Sequence, residues 1–181
     1  MTSKLKVNLI NDSGDNNLIT SDGSGNLTTQ KILYPAFYAT SGTTDQSVND
    51  NTTTKINLGT EVFDTDSAYD TSNSKFTVPT SKGGKYLINW SIDFLDTTEN
   101  TIAVTGYLYK NGSVIHTEGF NANAPANAQF RRYKVDGTLI LELSASDYLE
   151  IYAYANTDTG NAVTAKYDEK ATYMQGYRVG S

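Results

Sequence analysis

The stretch Tyr86–Phe94 constrains the fold more than any other part of the sequence. Large apolar residues stand at every second position, and mostly small or polar residues fill the positions between them. Because the side chains of a β-strand alternate between two faces, this pattern predicts a strand with one face in a core. The core-facing set is Tyr86, Ile88, Trp90, Ile92 and Phe94, and the opposite set is Leu87, Asn89, Ser91 and Asp93.

Shorter runs of the same alternation recur from Pro35 onward, separated by turn residues. Asn111-Gly112 predicts a hairpin between two of these runs, because tight primed turns need residues that accept a positive φ. No segment carries the sustained stripe of an amphipathic helix. The pattern therefore predicts an all-β sandwich or barrel.

The first 33 residues differ from the rest of the chain. Two clusters of turn residues, 11–17 and 21–25, leave only short alternating runs between them. Such strands bury too little apolar surface to offset their ordering entropy, so they need partner strands, which other chains can supply. We predict an N-terminal extension or fibre-shaft-like segment at 1–33 and a β-domain at 34–181. An ordinary flexible linker is the alternative for the extension.

Composition excludes several classes of function. The formal net charge is −6 with 14 basic residues, and no basic run is longer than Arg131-Arg132, which disfavours nucleic acid binding. No apolar stretch approaches the roughly 20 residues of a membrane span, and the first 20 residues lack the pattern of a secretion signal. Cysteine is absent, which removes thiol catalysis and disulfides. We therefore expect neither nucleic acid binding nor membrane insertion.

Six motifs follow one another along the second part of the chain. They are Pro35–Ala39, Val62–Asp64 with Tyr69-Asp70, Lys75–Pro79, Gly84–Ile88, Leu108–Gly112 and Tyr173–Tyr177. In this order they resemble the globular head domain of complement C1q, which shares its jelly roll with tumour necrosis factor. The resemblance covers about residues 35–181. Ile88 and Met174 stand where the family has Phe, and Ser146 stands where it has Gly.

The resemblance implies a ten-stranded jelly-roll sandwich of two five-stranded sheets that assembles as a homotrimer. The trimer interface is then expected on the inner sheet, on the face of the Tyr86–Phe94 strand that points away from the core. For the first and last strands the choice of face stays open. The interface residues predicted in this way are Phe37, Leu87, Asn89, Ser91, Tyr173, Gln175 and Tyr177.

Tyrosine is unusually frequent, with 13 residues against six Phe and one Trp. Tyr107 and Tyr109 stand opposite the core-facing residues of one predicted strand, and Tyr152 and Tyr154 do so on another. The resemblance makes these strands neighbours in the outer sheet. The four rings predict an exposed aromatic patch on which sugar rings can stack. The alternative is a cross-strand tyrosine ladder that only stabilises the sheet.

Catalytic signals are weak. His116 is the only histidine, it falls in a predicted outer strand, and no Gly-x-Ser-x-Gly elbow is present. We therefore predict that the chain is not an enzyme and that His116 has a surface or packing role. A glycosidase pair among the 20 carboxylates stays open, because its two acids meet in space and not in sequence.

Two acidic turns could supply oxygen ligands to calcium. They are Asp64-Thr65-Asp66 with Asp70, and Asn49-Asp50-Asn51. Neither has the spacing of an EF-hand, so solvated turn carboxylates are the preferred interpretation. Members of the family that the chain resembles can hold calcium near the trimer apex. We predict no cofactor, with calcium left open.

These features together predict a non-enzymatic, trimeric structural and receptor-binding module. The segment Ser21–Thr28 resembles the shaft-to-head junction of phage tail fibres. We expect a bacteriophage virion protein, such as a tail fibre or tip, that assembles in the host cytoplasm and contacts other virion proteins and a host cell-surface glycan or receptor. The long polar loop 120–129 is a candidate for recognition. The alternative is a bacterial adhesion or carbohydrate-binding protein with the same fold.

Overall fold

The computed structural model of the chain describes residues 9–15, 17–29, 35–121, 131–167 and 171–180. The chain divides into two compact units, Met1–Tyr34 and Pro35–Ser181. All regular secondary structure in the described ranges is β-strand, which confirms the predicted all-β class. Within those ranges there is no helix that could span a bilayer.

The N-terminal unit contains a small antiparallel sheet. Its strands β1 (Leu9–Asn11), β2 (Asn17–Ser21) and β3 (Leu27–Thr29) pair in chain order. Leu9, Ile10 and Leu18 are 42%, 47% and 45% exposed. A small sheet needs a buried hydrophobic face to be stable by itself, and these three aliphatic residues of β1 and β2 remain accessible to water.

The second unit is a sandwich of two antiparallel sheets, and the first sheet has seven strands. These are β4 (Ala36–Thr40), β5 (Gln46–Val48), β7 (Thr60–Asp64), β10 (Gly84–Leu95), β13 (Arg132–Leu143), β15 (Val163–Ala165) and β16 (Tyr173–Gly180). Their order is β5-β15-β10-β16-β4-β7. The seventh strand, β13, is not part of this order and pairs with β10. The predicted Tyr86–Phe94 strand is therefore the centre of this sheet.

The second sheet has six strands. These are β6 (Thr54–Lys55), β8 (Tyr69–Asp70), β9 (Lys75–Thr77), β11 (Thr101–Lys110), β12 (Ser113–Asn121) and β14 (Tyr148–Thr157). Their order is β12-β11-β14-β9-β8, with β6 also paired to β14. Within the described residues the count exceeds the expected five plus five, because strands of two or three residues, such as β6 and β8, pair beside the longer strands.

The core lies between the two sheets, around Trp90, which has no exposed surface. Two glycines make room for this indole. A Cβ built on Gly106 would lie 2.6 Å from Trp90 Cζ3, and a Cβ built on Gly137 would lie 2.8 Å from Trp90 Nε1. As the alternation predicts, the whole inward set of β10 is buried: Tyr86, Ile88, Trp90, Ile92 and Phe94.

Phe37 also lies in this core, which corrects its prediction as an interface residue. Its ring stacks on Phe76 with centroids 4.2 Å apart, and it lies 5.6 Å from the Tyr69 ring. Only 1% of Phe37 is exposed. Because successive residues of a strand point to opposite faces, Tyr38 takes the outward position on β4.

The predicted Asn-Gly hairpin joins β11 to β12. Asn111 and Gly112 have φ angles of 52° and 78°, both positive as a type I′ turn demands. The side chain of Asn111 donates to Asp147 Oδ1 at 2.6 Å and accepts from the Tyr148 backbone N–H at 2.9 Å. Burial opposes ionisation of Asp147, but hydrogen bonds from Lys110 and Asn111 outweigh it and hold the pKa of Asp147 below its ordinary value. The hairpin is thus tied to the start of β14.

Candidate functional site

The exposed side of the seven-stranded sheet brings together most of the predicted interface residues. Residues directly opposite each other in an antiparallel pair share a face. Leu87 lies opposite Tyr177 on one side and Ile140 on the other, and Asn89 lies opposite Gln175. We call this surface the interface face; it consists of Tyr38, Phe63, Leu87, Asn89, Ile140, Tyr173, Gln175 and Tyr177.

One half of the interface face is apolar. Ile140, Tyr177 and Phe63 are 64%, 48% and 48% exposed, and Leu87 lies between the first two. A depression of about 240 Å³ opens beside Leu87 and Tyr177, with Phe63 on its wall. A contiguous group of apolar side chains on an exposed sheet face is typical of an interaction surface.

Asn89 organises the centre of the interface face. Its Oδ1 accepts from the Tyr173 hydroxyl at 2.7 Å and from Gln175 Nε2 at 3.2 Å. Its Nδ2 donates to Thr138 Oγ1 at 2.7 Å and to the Gly137 carbonyl at 3.2 Å. All four hydrogen-bonding positions of the amide are therefore used, across three neighbouring strands.

Charged residues gather on the same exposed surface of the seven-stranded sheet, on the side away from the apolar half. Asp93 is 4% exposed and accepts hydrogen bonds from the guanidinium of Arg132 on β13. The Lys134 ammonium lies 5.7 Å from the centre of the Tyr173 ring. Burial raises the pKa of Tyr173, and the negative charge of Asp136 adds to that shift. This sheet surface thus runs from an apolar half to a charged half.

The prediction for Ser91 needs a correction. Ser91 lies on this side of β10, between its cross-strand neighbours Tyr173 and Asp136. It is fully buried within the chain, and in the described part of the structure its Oγ makes no hydrogen bond. A side chain already covered by its own chain offers no surface to a second copy.

Sequence reasoning missed three residues of the interface face: Tyr38, Phe63 and Ile140. Ile140 had a readable signal, since it is an aliphatic residue out of phase with Leu139 and Leu141, which pack against the core. Tyr38 and Phe63 sit in runs that are apolar or aromatic at consecutive positions, so the alternation has no phase there. Their rings meet edge to face at 6.2 Å.

The four tyrosines singled out in the sequence lie together on the exposed side of the six-stranded sheet. We call Tyr107, Tyr109, Tyr152 and Tyr154 the tyrosine face. Tyr107 lies directly opposite Tyr152 in the pairing of β11 with β14. The Tyr109 and Tyr152 rings are 4.3 Å apart and tilted by 37°, and the Tyr107 ring meets Tyr109 edge-on at 6.3 Å. All four residues are half-buried.

Polar groups border the tyrosine face. The Tyr152 hydroxyl donates to Glu150 Oε2 at 3.4 Å, and Glu150 forms an ion pair with Lys55. Burial raises the pKa of Tyr152, and the charge of Glu150 raises it further. The Tyr154 hydroxyl donates to Asn51 Oδ1 at 2.6 Å.

The acidic turns considered for calcium use their oxygens within the chain. Asp64 Oδ2 accepts from the Tyr69 backbone N–H at 2.6 Å, and Asp50 Oδ1 accepts from the Thr157 backbone N–H at 2.7 Å. Asp70 accepts from the backbone N–H groups of both residues 72 and 73. Among the described residues no three acidic or histidine side chains are grouped as metal ligands. Of the polar loop 120–129 considered for recognition, residues 122–129 lie outside the described ranges.

His116 is placed for packing. Its ring contacts the edge of Trp90 with centroids 5.8 Å apart. Its Nε2 is 3.5 Å from Glu118 Oε1, and 24% of the side chain is exposed. Of the surface or packing role that the sequence predicted for His116, the contact with Trp90 fits packing.

Comparison with known proteins supports the architecture. No family model and no curated protein matches the chain. Among solved structures, the globular domain of zebrafish complement 1qA protein matches with a TM-score of 0.51 at 14% identity, over 80% of this chain and 97% of that one. Eiger TNF from S. frugiperda matches with a TM-score of 0.58 at 10% identity, over 82% and 93%. Murine APRIL matches with a TM-score of 0.58 at 12% identity, over 81% and 99%.

Identities of 10–14% establish a shared architecture and nothing finer. That architecture agrees with the motif order in the sequence and with the two antiparallel sheets packed around Trp90. The predicted jelly roll is confirmed: the chain contains a domain with the fold of complement C1q and tumour necrosis factor.

Proposed function

We propose that this protein is a non-enzymatic, homotrimeric structural and receptor-binding module of a virion, such as a bacteriophage tail fibre or tip. In this proposal the seven-stranded sheet is the assembly surface and the six-stranded sheet faces outward. The packing of the sole histidine, His116, against Trp90 supports a role without catalysis.

The observation that carries the trimer is the apolar half of the interface face. Ile140, Leu87 and Tyr177 form a continuous row across three strands, and two of these residues are about half exposed or more. Covering them with a second copy removes apolar surface from water, which is the main driving force for association. The resemblance to C1q and tumour necrosis factor heads implies that three copies close the assembly.

The N-terminal unit supports the fibre interpretation over the linker interpretation. It forms paired strands that leave Leu9, Ile10 and Leu18 exposed, whereas a flexible linker needs neither strand pairing nor exposed aliphatic residues. Three copies held together by their heads bring three such sheets to a high effective concentration, at which they can cover one another. We therefore assign residues 1–34 to an assembly segment.

Light scattering of the full chain and of residues 35–181 tests the trimer. A particle of three times the 19.7 kDa chain mass is expected for the full chain, and a trimer of the shorter protein would identify the head as the assembling unit. A monomer in both cases would refute the assembly proposal. The virion assignment is tested separately, by whether an antibody against the chain labels fibres or tips of purified particles.

The tyrosine face favours a second candidate, a bacterial adhesion or carbohydrate-binding protein with the same fold. A sugar-binding surface serves that role equally well. A monomeric mass, together with labelling of a bacterial surface in place of virus particles, would favour this candidate.

A further inference from the structure

We propose that the tyrosine face is a binding site for an uncharged carbohydrate chain. This inference deepens the receptor-binding part of the proposed function, on which it rests, because it names the site and the chemical class of the receptor. It does not depend on the number of copies in the assembly.

The tyrosine face holds its rings in place before any ligand arrives. Tyr109 and Tyr152 support each other at 4.3 Å, and Tyr107 closes one side with its ring nearly perpendicular to that of Tyr109. Rings fixed by their neighbours lose little side-chain entropy when a ligand binds. Sugar rings present C–H groups on their faces and hydroxyls on their edges, which suits a surface of tyrosines with an apolar ring and a polar tip.

Two hydroxyls of the tyrosine face are available for hydrogen bonding. Among the described residues, those of Tyr107 and Tyr109 have no hydrogen-bond partner, whereas those of Tyr152 and Tyr154 donate to Glu150 and Asn51. Each free phenol can donate one hydrogen bond and accept others. This combination matches sugar hydroxyls, which also donate and accept.

The charges beside the tyrosine face favour a neutral ligand. Lys55 and Glu150 lie at its edge and pair with each other, so they give the surface no net charge. Lys55 is the more accessible partner, with 33% of its side chain exposed against 11% for Glu150, and the ion pair offsets its charge. The pair still presents donors and acceptors to a neutral chain.

The same pair argues against a protein partner on this surface. The centres of protein–protein interfaces are depleted of charged residues, and burying an ion pair carries a desolvation cost. Glu150 is already only 8% exposed within the chain, so this cost falls on Lys55, whose side chain is 33% exposed and stays in contact with water beside a thin glycan chain.

Affinity electrophoresis of the full chain tests the proposal, with the neutral polysaccharides mannan, dextran, galactan and β-glucan, and polygalacturonate as the anionic comparison. We expect at least one neutral polysaccharide to retard the protein. Tyr107→Phe/Tyr109→Phe keeps the rings and removes only the free hydroxyls, so the affinity should fall roughly ten-fold. Tyr107→Ala/Tyr152→Ala should abolish retardation. Tyr167→Phe, which removes a tyrosine hydroxyl outside both faces, should change nothing.

Retardation by the anionic polymer alone, no retardation by any polymer, or unchanged binding of the two double variants would each overturn the proposal. The Phe variant guards against misreading a folding defect, since its rings remain packed. The receptor-binding function is tested separately, by measuring whether the protein adsorbs to host cells; no adsorption would mean that this function has failed. Adsorption that survives periodate oxidation of cell-surface glycans but not protease treatment would keep the receptor role and exclude the carbohydrate.

Discussion

Asn89 accepts a 2.7 Å hydrogen bond from the hydroxyl of Tyr173, across the pairing of β10 with β16. The same amide donates to Thr138 on β13, so one side chain ties three strands of the interface face together. This relationship makes the centre of that surface rigid and polar, while its apolar half lies to one side.

Asn89→Asp should destabilise the fold because both donors of the amide are lost and a carboxylate faces the Gly137 carbonyl. We expect a loss of about 1–3 kcal/mol in the free energy of unfolding at neutral pH. Tyr173→Phe, which removes a single hydrogen bond, should cost about 1 kcal/mol. Urea unfolding measures both. A larger loss for the tyrosine variant would contradict the central role of Asn89.

If the chain assembles as the proposed trimer, Ile140→Asp and Leu87→Asp should each separate its subunits. A carboxylate buried in an apolar contact without a partner is costly, whereas Ile140 is 64% exposed in the single chain, so its replacement leaves the fold intact. Sedimentation velocity should show the change from trimer to monomer. Thr117→Asp, on the other sheet, is the matched control. Unchanged sedimentation of both variants would refute the placement of the interface.

Gly137→Ala should overpack the core. The added methyl group would lie 2.8 Å from both Trp90 Nε1 and His116 Cε1, and such overpacking typically costs about 1–3 kcal/mol. Gly180→Ala is the control, since nothing lies within 4 Å of a Cβ built there. Thermal unfolding compares the two. Equal melting temperatures would show that the indole can shift aside.

Asp96 should make stability depend on pH. It is 3% exposed. Burial opposes its ionisation, but hydrogen bonds from Thr98, Thr101 and the Asn100 backbone N–H outweigh this and hold its pKa below 3.8. Because the folded pKa lies below the unfolded pKa, the contribution is complete above about pH 4 and is lost as the pH falls through the folded pKa.

Asp96→Asn should therefore lose about 1–3 kcal/mol at pH 7 and less at pH 3, where the contribution of the ionised carboxylate is already decreasing. Urea unfolding at the two pH values measures the difference. Glu99→Gln, an exposed carboxylate of the same loop, serves as the control and should lose little at either pH. An equal loss for Asp96→Asn at both pH values would mean that its charge is not what stabilises the loop.

The central strand β10 was predictable from sequence because its two faces differ in polarity. Large apolar residues against Asn89, Ser91 and Asp93 leave one consistent phase, and every inward residue is buried. The sequence could not show that Ser91 is covered, because that depends on Tyr173 and Asp136, which come from strands far away in the chain. Burial of a small residue on an outer face is a property of its neighbours.

The phase of β4 was not predictable. Ala36, Phe37, Tyr38 and Ala39 are all apolar or aromatic, so either face can be the inner one. Contact with Phe76, from the opposite sheet, settles the choice in favour of Phe37 inward. In the tyrosine face, by contrast, alternation predicted the outward positions, because aliphatic and alanine residues fill the inward positions of β14 and Val104 and Leu108 fill those of β11. That the two strands are neighbours came from the resemblance to the C1q head domain.

Because the only tryptophan is buried in the core, its fluorescence reports on the unfolding of the sandwich. Trp90 has no exposed surface and lies between the sheets, whereas Tyr177 and Tyr173 belong to the interface face. The fluorescence of Trp90 should therefore shift to longer wavelength when the sandwich unfolds. It should remain nearly constant when intact subunits separate. Emission and particle mass followed on one sample would then distinguish loss of the fold from loss of assembly.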